Sequence, residues 1–236
     1  MKHLASFRKR RECRGEPGDE KREVIQMNGQ TSGRFLALEG IDGSGKSTQL
    51  QLLLERLRAR GVECRGTREP SDGPVGAMLR QILTGRMAAD NRVIAGLFAA
   101  DRLDHLVNPR DGILEQVRSG VTVVTDRYYF SSYAYHGVDV DMGWVIDSNR
   151  LSAELLRPDA TIFLDVPVRR ALERIGRNRS HTELFEREDR LTATREKYLE
   201  AFERLRDKET VAVIDAGGDV ETVAERVWAA VSHLFP

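Results

Sequence analysis

Glu39–Thr48, EGIDGSGKST, is the stretch on which the reading of this chain turns. Before it runs Arg34–Glu39 (RFLALE), a short apolar segment of strand length. After it, Lys46–Arg60 (KSTQLQLLLERLRAR) repeats Leu50, Leu53, Leu54 and Leu57 at helical spacing and closes at Gly61. Gly40–Ser47 therefore fits G-x-x-x-x-G-K-[ST] between a strand and a helix, the context in which that spacing has physical meaning. Glycines let the backbone curl close to a phosphate, and successive N–H groups with the helix N-terminus supply fixed positive potential. The segment Gly40, Ile41, Asp42, Gly43, Ser44, Gly45, Lys46, Ser47, Thr48 is expected to cradle a nucleoside triphosphate. Lys46 would reach the β- and γ-phosphates and the Ser47 hydroxyl would ligate Mg2+.

Outward from the loop, short apolar runs alternate with helix-length patterns. Val62–Thr67, Val121–Thr125, Ala160–Asp165 and Val211–Asp215 read as further strands. Helices are expected near Val75–Thr84, Asp90–Val107, Arg110–Arg118, Trp144–Leu156, from about Val168, from about Arg187 to Arg206, and over Val220–Leu234. An Arg-rich break is expected around Gly176–His181. Five strands alternating with helices imply an α/β fold, a P-loop NTPase three-layer sandwich in which a five-stranded, mostly parallel sheet is covered on both faces. Residues 34–236 are expected to form one domain, with ligands beyond the carboxyl ends of the strands.

The totals agree. At 236 residues, 40% hydrophobic and 31% charged, the chain has the composition of a soluble globular protein. Lys+Arg and Asp+Glu are 37 each, so no global field recruits nucleic acid or an anionic membrane. Cys13 and Cys64 are too few for a disulfide framework, which suits a cytoplasmic setting. No apolar run is long enough for a membrane span. Residues 1–33, with eight Lys/Arg against five Asp/Glu, lack periodicity and are expected to be a disordered extension; Met27 is a candidate start.

The other strand ends carry charge. TREPSDG presents Arg68, and VTVVTDR presents Asp126 and Arg127; two arginines at the rim of the phosphate loop suit a second phosphate. Between them, GLFAADRLDH puts Phe98 and Arg102 four apart, a flat surface and a donor suited to a nucleobase if that face meets the pocket. In RRALERIGRNRSHTELFERED, Arg174, Arg177 and Arg179 crowd an expected helix break at Gly176, as a lid over transferring phosphates would require. No Asn-Lys-x-Asp base-reading element of a GTPase is found. These features point to a small phosphotransferase acting on a phosphorylated acceptor.

The combination resembles the thymidylate kinases, over about residues 33–235: EGIDGSGKSTQ, the TREP turn, LFAADR, DRYYFSSYAYHG, the Arg-rich segment and FERE stand in order. The resemblance implies ATP as donor with Mg2+, dTMP as acceptor, and a homodimer. It implies that Asp42 lies near the sugar 3′-hydroxyl and acceptor, that Phe98 stacks on thymine and that Arg102 bonds its carbonyl edge. It also implies that Arg127 holds the dTMP phosphate, that Asp126 sits near the metal, that Ser132 meets the thymine edge and that Tyr135 crowds C2′. Gly43 stands where some members carry a loop arginine, which leaves transition-state charge to Arg174, Arg177 and Arg179, the lid lying at about residues 176–186. Tyr128, Tyr129, Phe130 and Tyr133 are expected to pack rather than touch ligand. The alternatives are another mononucleotide kinase acting on dUMP or UMP, and a non-catalytic nucleotide-binding regulator.

Overall fold

The structure, a computed structural model, describes residues 32–178, 185 and 187–236. The expected extension, apart from Ser32 and Gly33, and most of the expected lid lie outside the described residues. In chain order the elements are β1 (Phe35–Glu39), α1 (Lys46–Ala59), β2 (Cys64–Arg68), α2 (Pro74–Leu83), α3 (Asn91–Val107) and α4 (Ile113–Arg118). They continue with β3 (Thr122–Asp126), α5 (Tyr129–His136), α6 (Met142–Ser148), α7 (Arg150–Leu155), β4 (Ala160–Asp165), α8 (Val168–Asn178), α9 (Glu188–Leu205), β5 (Val211–Asp215) and α10 (Val220–Val231). A 3-10 turn at Ser232–Leu234 follows α10.

The sheet order is β2-β3-β1-β4-β5, and all four pairings are parallel. β1, β3 and β4 are buried along nearly their whole length, as strands covered on both faces are. The register is what positions the site. Leu38 pairs with Asp126, Arg68 with Asp126, Glu39 with Phe163 and Asp165 with Asp215, so each strand delivers a charged residue to one edge of the sheet. α1 buries Leu50, Leu53, Leu54 and Leu57 and packs beside α10. Elsewhere α5 packs on α9, where Phe163 of β4 meets Tyr198 and Phe202 with ring centroids 4.9 and 5.0 Å apart.

Two expectations are corrected. The helix does not break at Gly176: α8 continues to Asn178, because Leu172 and Ile175 hold its inner side against the core and one exposed glycine costs a helix only about 1 kcal/mol. The single helix expected over Trp144–Leu156 is instead α6 and α7, parted at Asn149. The Asn149 side chain is buried and its Nδ2 donates to the Val145 carbonyl at 2.8 Å, the acceptor its own amide would take in a continuous helix. That amide goes to Ile146 O at 3.1 Å instead.

Candidate active site

Gly40, Gly43 and Gly45 adopt φ of 148°, 77° and 98°, which is how the chain leaves β1, curls and enters α1. A Cβ at Gly40 would lie 2.6 Å from Ser44 Oγ and 2.9 Å from Leu164 O. Gly45, the residue before α1, offers no side-chain cap, so the first amides of that helix face the loop's hollow without a side-chain acceptor. Ser44 Oγ is buried without a hydrogen-bond partner among the described residues. These features fit a bound phosphate. Lys46 Nζ spans the loop, donating at 3.1 Å to both Gly40 O and Ile41 O. Burial, then the nearby Arg127 charge, push its pKa down to about 8.

Ser47 Oγ donates to Asp126 Oδ2 at 2.7 Å, joining the start of α1 to the end of β3. Among the described residues no three His, Cys, Asp or Glu gather as a metal site. A hydroxyl and a carboxylate at this spacing fit Mg2+, which takes few protein oxygens and completes its shell with phosphate and water.

Arg127 follows Asp126 with φ of 77°, a left-handed turn held by its amide on Leu38 O (2.9 Å) and its carbonyl on Thr125 Oγ1 (2.9 Å). The turn sends the guanidinium back to the phosphate loop. It donates to Gly40 O (3.2 Å), Ser131 Oγ (3.1 Å), Tyr135 Oη (3.2 Å) and Asp42 Oδ1 (2.5 Å), and it stacks 4.8 Å above the Tyr135 ring. Tyr135 Oη donates to Asp42 Oδ2 at 2.9 Å. Loop carboxylate, arginine and tyrosine are therefore one cluster.

These groups share a cavity of about 670 Å3 with Arg68, Phe98, Ser132, His136 and Arg174. Phe98 lies 4.9 Å from the His136 ring. Arg102, four residues on, does not line the cavity: it is 0% exposed behind the wall. Its donors go to Glu69 Oε2 (2.9 and 2.6 Å), Ser132 Oγ (3.0 Å), Tyr128 O (3.1 Å) and Asn149 Oδ1. Ser132, accepting from Arg102, keeps its own O–H to donate into the cavity. Arg68 lines the rim and pairs with Asp72 at 3.2 Å, largely in solvent.

From α8, Arg174 donates to Gly43 O (3.4 Å), Ser44 O (3.3 Å) and Ala216 O (3.2 Å), so it leans on the phosphate loop. Arg177 falls in the last turn of α8, and Arg179 lies outside the described residues. Tyr128, Tyr129, Phe130 and Tyr133 are at most 2% exposed and pack in the core, while Ser132 and Tyr135 line the cavity.

Three residues were not singled out from the sequence. His136 is one helical turn past Ser132, an i,i+4 spacing that could have revealed it. Burial, then Arg102 and Arg190, hold its pKa down to about 3 against Asp139. Glu39, at 0% exposure, has its carboxyl pKa raised by burial, with Ser131, Arg127, Tyr198 and Tyr128 opposing. Asn149 carried no sequence signal.

A family model described as thymidylate kinase matches residues 38–227 of the chain. Among curated proteins, the probable thymidylate kinase of Thermococcus kodakarensis is 36% identical over 213 residues, covering 85% of this chain and 98% of that protein. The thymidylate kinase of Afipia carboxidovorans is 36% identical over 209 residues, with 85% and 90% covered. That of Nitrobacter hamburgensis is 38% identical over 216 residues, with 88% and 92% covered.

Proposed function

This chain belongs to the thymidylate kinase family, and from that premise we propose that it transfers the γ-phosphoryl group of ATP to dTMP, giving dTDP and ADP. The observation that carries the reading is the meeting, in one cavity, of the phosphate loop with a second arginine, Arg127, joined to it through Asp42. A phosphate oxygen of the acceptor attacks the γ-phosphorus as the bond to the β-phosphate oxygen breaks. No protein nucleophile takes part, so the chain's work is positioning and charge neutralisation.

In this reading the loop amides and Lys46 hold the ATP phosphates, and Arg127 grips the phosphate of dTMP. Asp42 orients Arg127 and offers an acceptor oxygen to the sugar hydroxyl. Phe98 stacks on the thymine, and the Ser132 hydroxyl donates to a base carbonyl, which favours a pyrimidine with oxygen at C4 over one with an amine there. Arg102 acts through Ser132 rather than by touching the base. Tyr135 crowds C2′. Arg174, which leans on the phosphate loop, neutralises charge on the transferring group, a task that the family resemblance extends to Arg177 and Arg179. Ser47 and Asp126 would hold Mg2+, which when bound neutralises phosphate charge.

Val93, Val107, Trp144, Leu151 and Leu155 are exposed on α3, α6 and α7, three helices in mutual contact, and these apolar side chains support the reading of a homodimer built from two copies. Among the described residues no helix is long and apolar enough to cross a membrane, and a cytoplasmic setting suits an ATP-dependent enzyme. The test is ADP release with dTMP, dUMP, UMP and CMP as acceptors. dTMP should be turned over best and CMP worst; equal use of UMP would overturn the role of Tyr135, and no acceptor-dependent ADP release would overturn the function.

A further inference from the structure

Arg127 occupies a backbone conformation that an L residue adopts at a cost, and it carries a charge that is 15% exposed. Something must hold both, and Asp42 accounts for one side of the guanidinium only. The other side leads into a buried network. Glu39 Oε1 accepts from the amides of Tyr128 (2.8 Å) and Ser131 (3.1 Å). Helix α5 has no side-chain cap from its own N-cap residue, Tyr128, so the last residue of β1 supplies the acceptor that its first turn lacks. Glu39 Oε2 accepts from Ser131 Oγ (2.6 Å) and Tyr198 Oη (2.9 Å). Ser131, having given its proton to Glu39, has an oxygen left to accept from Arg127 Nη1 at 3.1 Å. Tyr198 Oη also lies 2.8 Å from Ser131 Oγ. Glu39 and Tyr198 are 0% exposed.

We propose that Glu39, Ser131 and Tyr198 are positioning residues that fix the Arg127 turn and guanidinium, and that Tyr198 makes this geometry depend on the docking of α9. The inference rests on the reading of Arg127 as the grip on the acceptor phosphate. Helix α9 is pinned to α5 a second time near its start. There Arg190 pairs with Asp139 (2.7 Å through Nη1), donates to Tyr135 O (3.3 Å) and lies 4.9 Å over the Phe185 ring, which itself packs 5.7 Å from Tyr135. A helix anchored at both Tyr135 and Ser131 cannot shift without disturbing two of the groups that hold Arg127.

Tyr198→Phe removes one hydroxyl and keeps the packing. It should raise the KM for dTMP about 3- to 10-fold and leave the KM for ATP within about twofold. Glu39→Gln should do the same more strongly, and in an Arg127→Ala background Tyr198→Phe should add nothing. A tyrosine that merely stabilises the fold would give effects that add in the double variant, or would raise both KM values together; either result overturns the inference. If Glu39→Gln does not fold, the Tyr198–Arg127 cycle decides. If Arg127→Ala itself leaves the dTMP KM unchanged, the acceptor reading fails, and 15N relaxation of the Arg127 Nε–H group in the free protein judges the network separately. Loss of order in Tyr198→Phe supports the network, and unchanged order overturns it.

Discussion

Replacing Gly43 by alanine should damage both fold and turnover. At φ of 77°, a Cβ there would lie 2.3 Å from Ala171 O, 2.9 Å from its carbonyl carbon and 3.1 Å from its Cα. All three are backbone atoms of α8, so no side chain can swing aside, and the helix must retreat by about 1 Å to restore ordinary contact. The left-handed backbone costs a non-glycine residue about 1–2 kcal/mol. Forced overpacking adds about 1–3 kcal/mol. A loss of about 2–5 kcal/mol corresponds to a Tm lower by about 4–20 °C for a domain of this size. The retreat also carries Arg174 away from Gly43 O and Ser44 O, where it now stands at 3.4 and 3.3 Å, and a displacement near 1 Å at a phosphoryl-transfer site costs up to about 100-fold in kcat. Gly43→Arg meets the same wall, so this loop cannot accept the arginine some relatives carry until α8 has moved. Thermal melts and steady-state ADP release measure the two effects. Gly43→Ala with Tm within about 2 °C and kcat within about twofold of the parent would refute the argument.

Other expectations follow from burial. Arg102→Ala leaves the Glu69 carboxylate buried without its cation, so urea unfolding should show a loss of about 3–5 kcal/mol, and a loss under 1 kcal/mol would mean the site relaxes. His136 is held neutral: its folded pKa of about 3 lies below the ordinary 6.5, so its contribution is full above pH 6.5 and fades as pH falls towards 3. Between pH 6.5 and 4.5 this amounts to about 2 kcal/mol, and His136→Gln should flatten that part of the stability–pH curve; an unchanged slope contradicts the assignment. Ser47→Ala should raise the Mg2+ concentration needed for half-maximal rate, which a magnesium titration at saturating ATP would measure.

Much of this was legible in the sequence because its signals are local. The glycine spacing of the phosphate loop, the apolar strands and the leucine face of α1 each follow from a period or a backbone requirement, and all stand in the structure with ends shifted by a residue or two. Depth was not legible. Helical spacing put Phe98 and Arg102 on one face but could not say that Phe98 reaches the cavity while Arg102 stops behind it on Glu69, a residue thirty-three positions earlier. The helix runs on through Gly176 because a glycine lowers helix propensity without overruling the core contacts of Leu172 and Ile175. Glu39 reads as the last residue of a strand, and only the register beside β3 and the approach of α9 turn it into a buried acceptor for α5.

The central claim is that the acceptor's phosphate is held by Arg127 beside the ATP site. Steady-state kinetics of Arg127→Ala with dTMP and ATP varied in turn test it directly. Removing a charge-assisted contact of about 1.5–3 kcal/mol predicts a dTMP KM about 10- to 150-fold higher with the ATP KM little changed. An unchanged dTMP KM would contradict it.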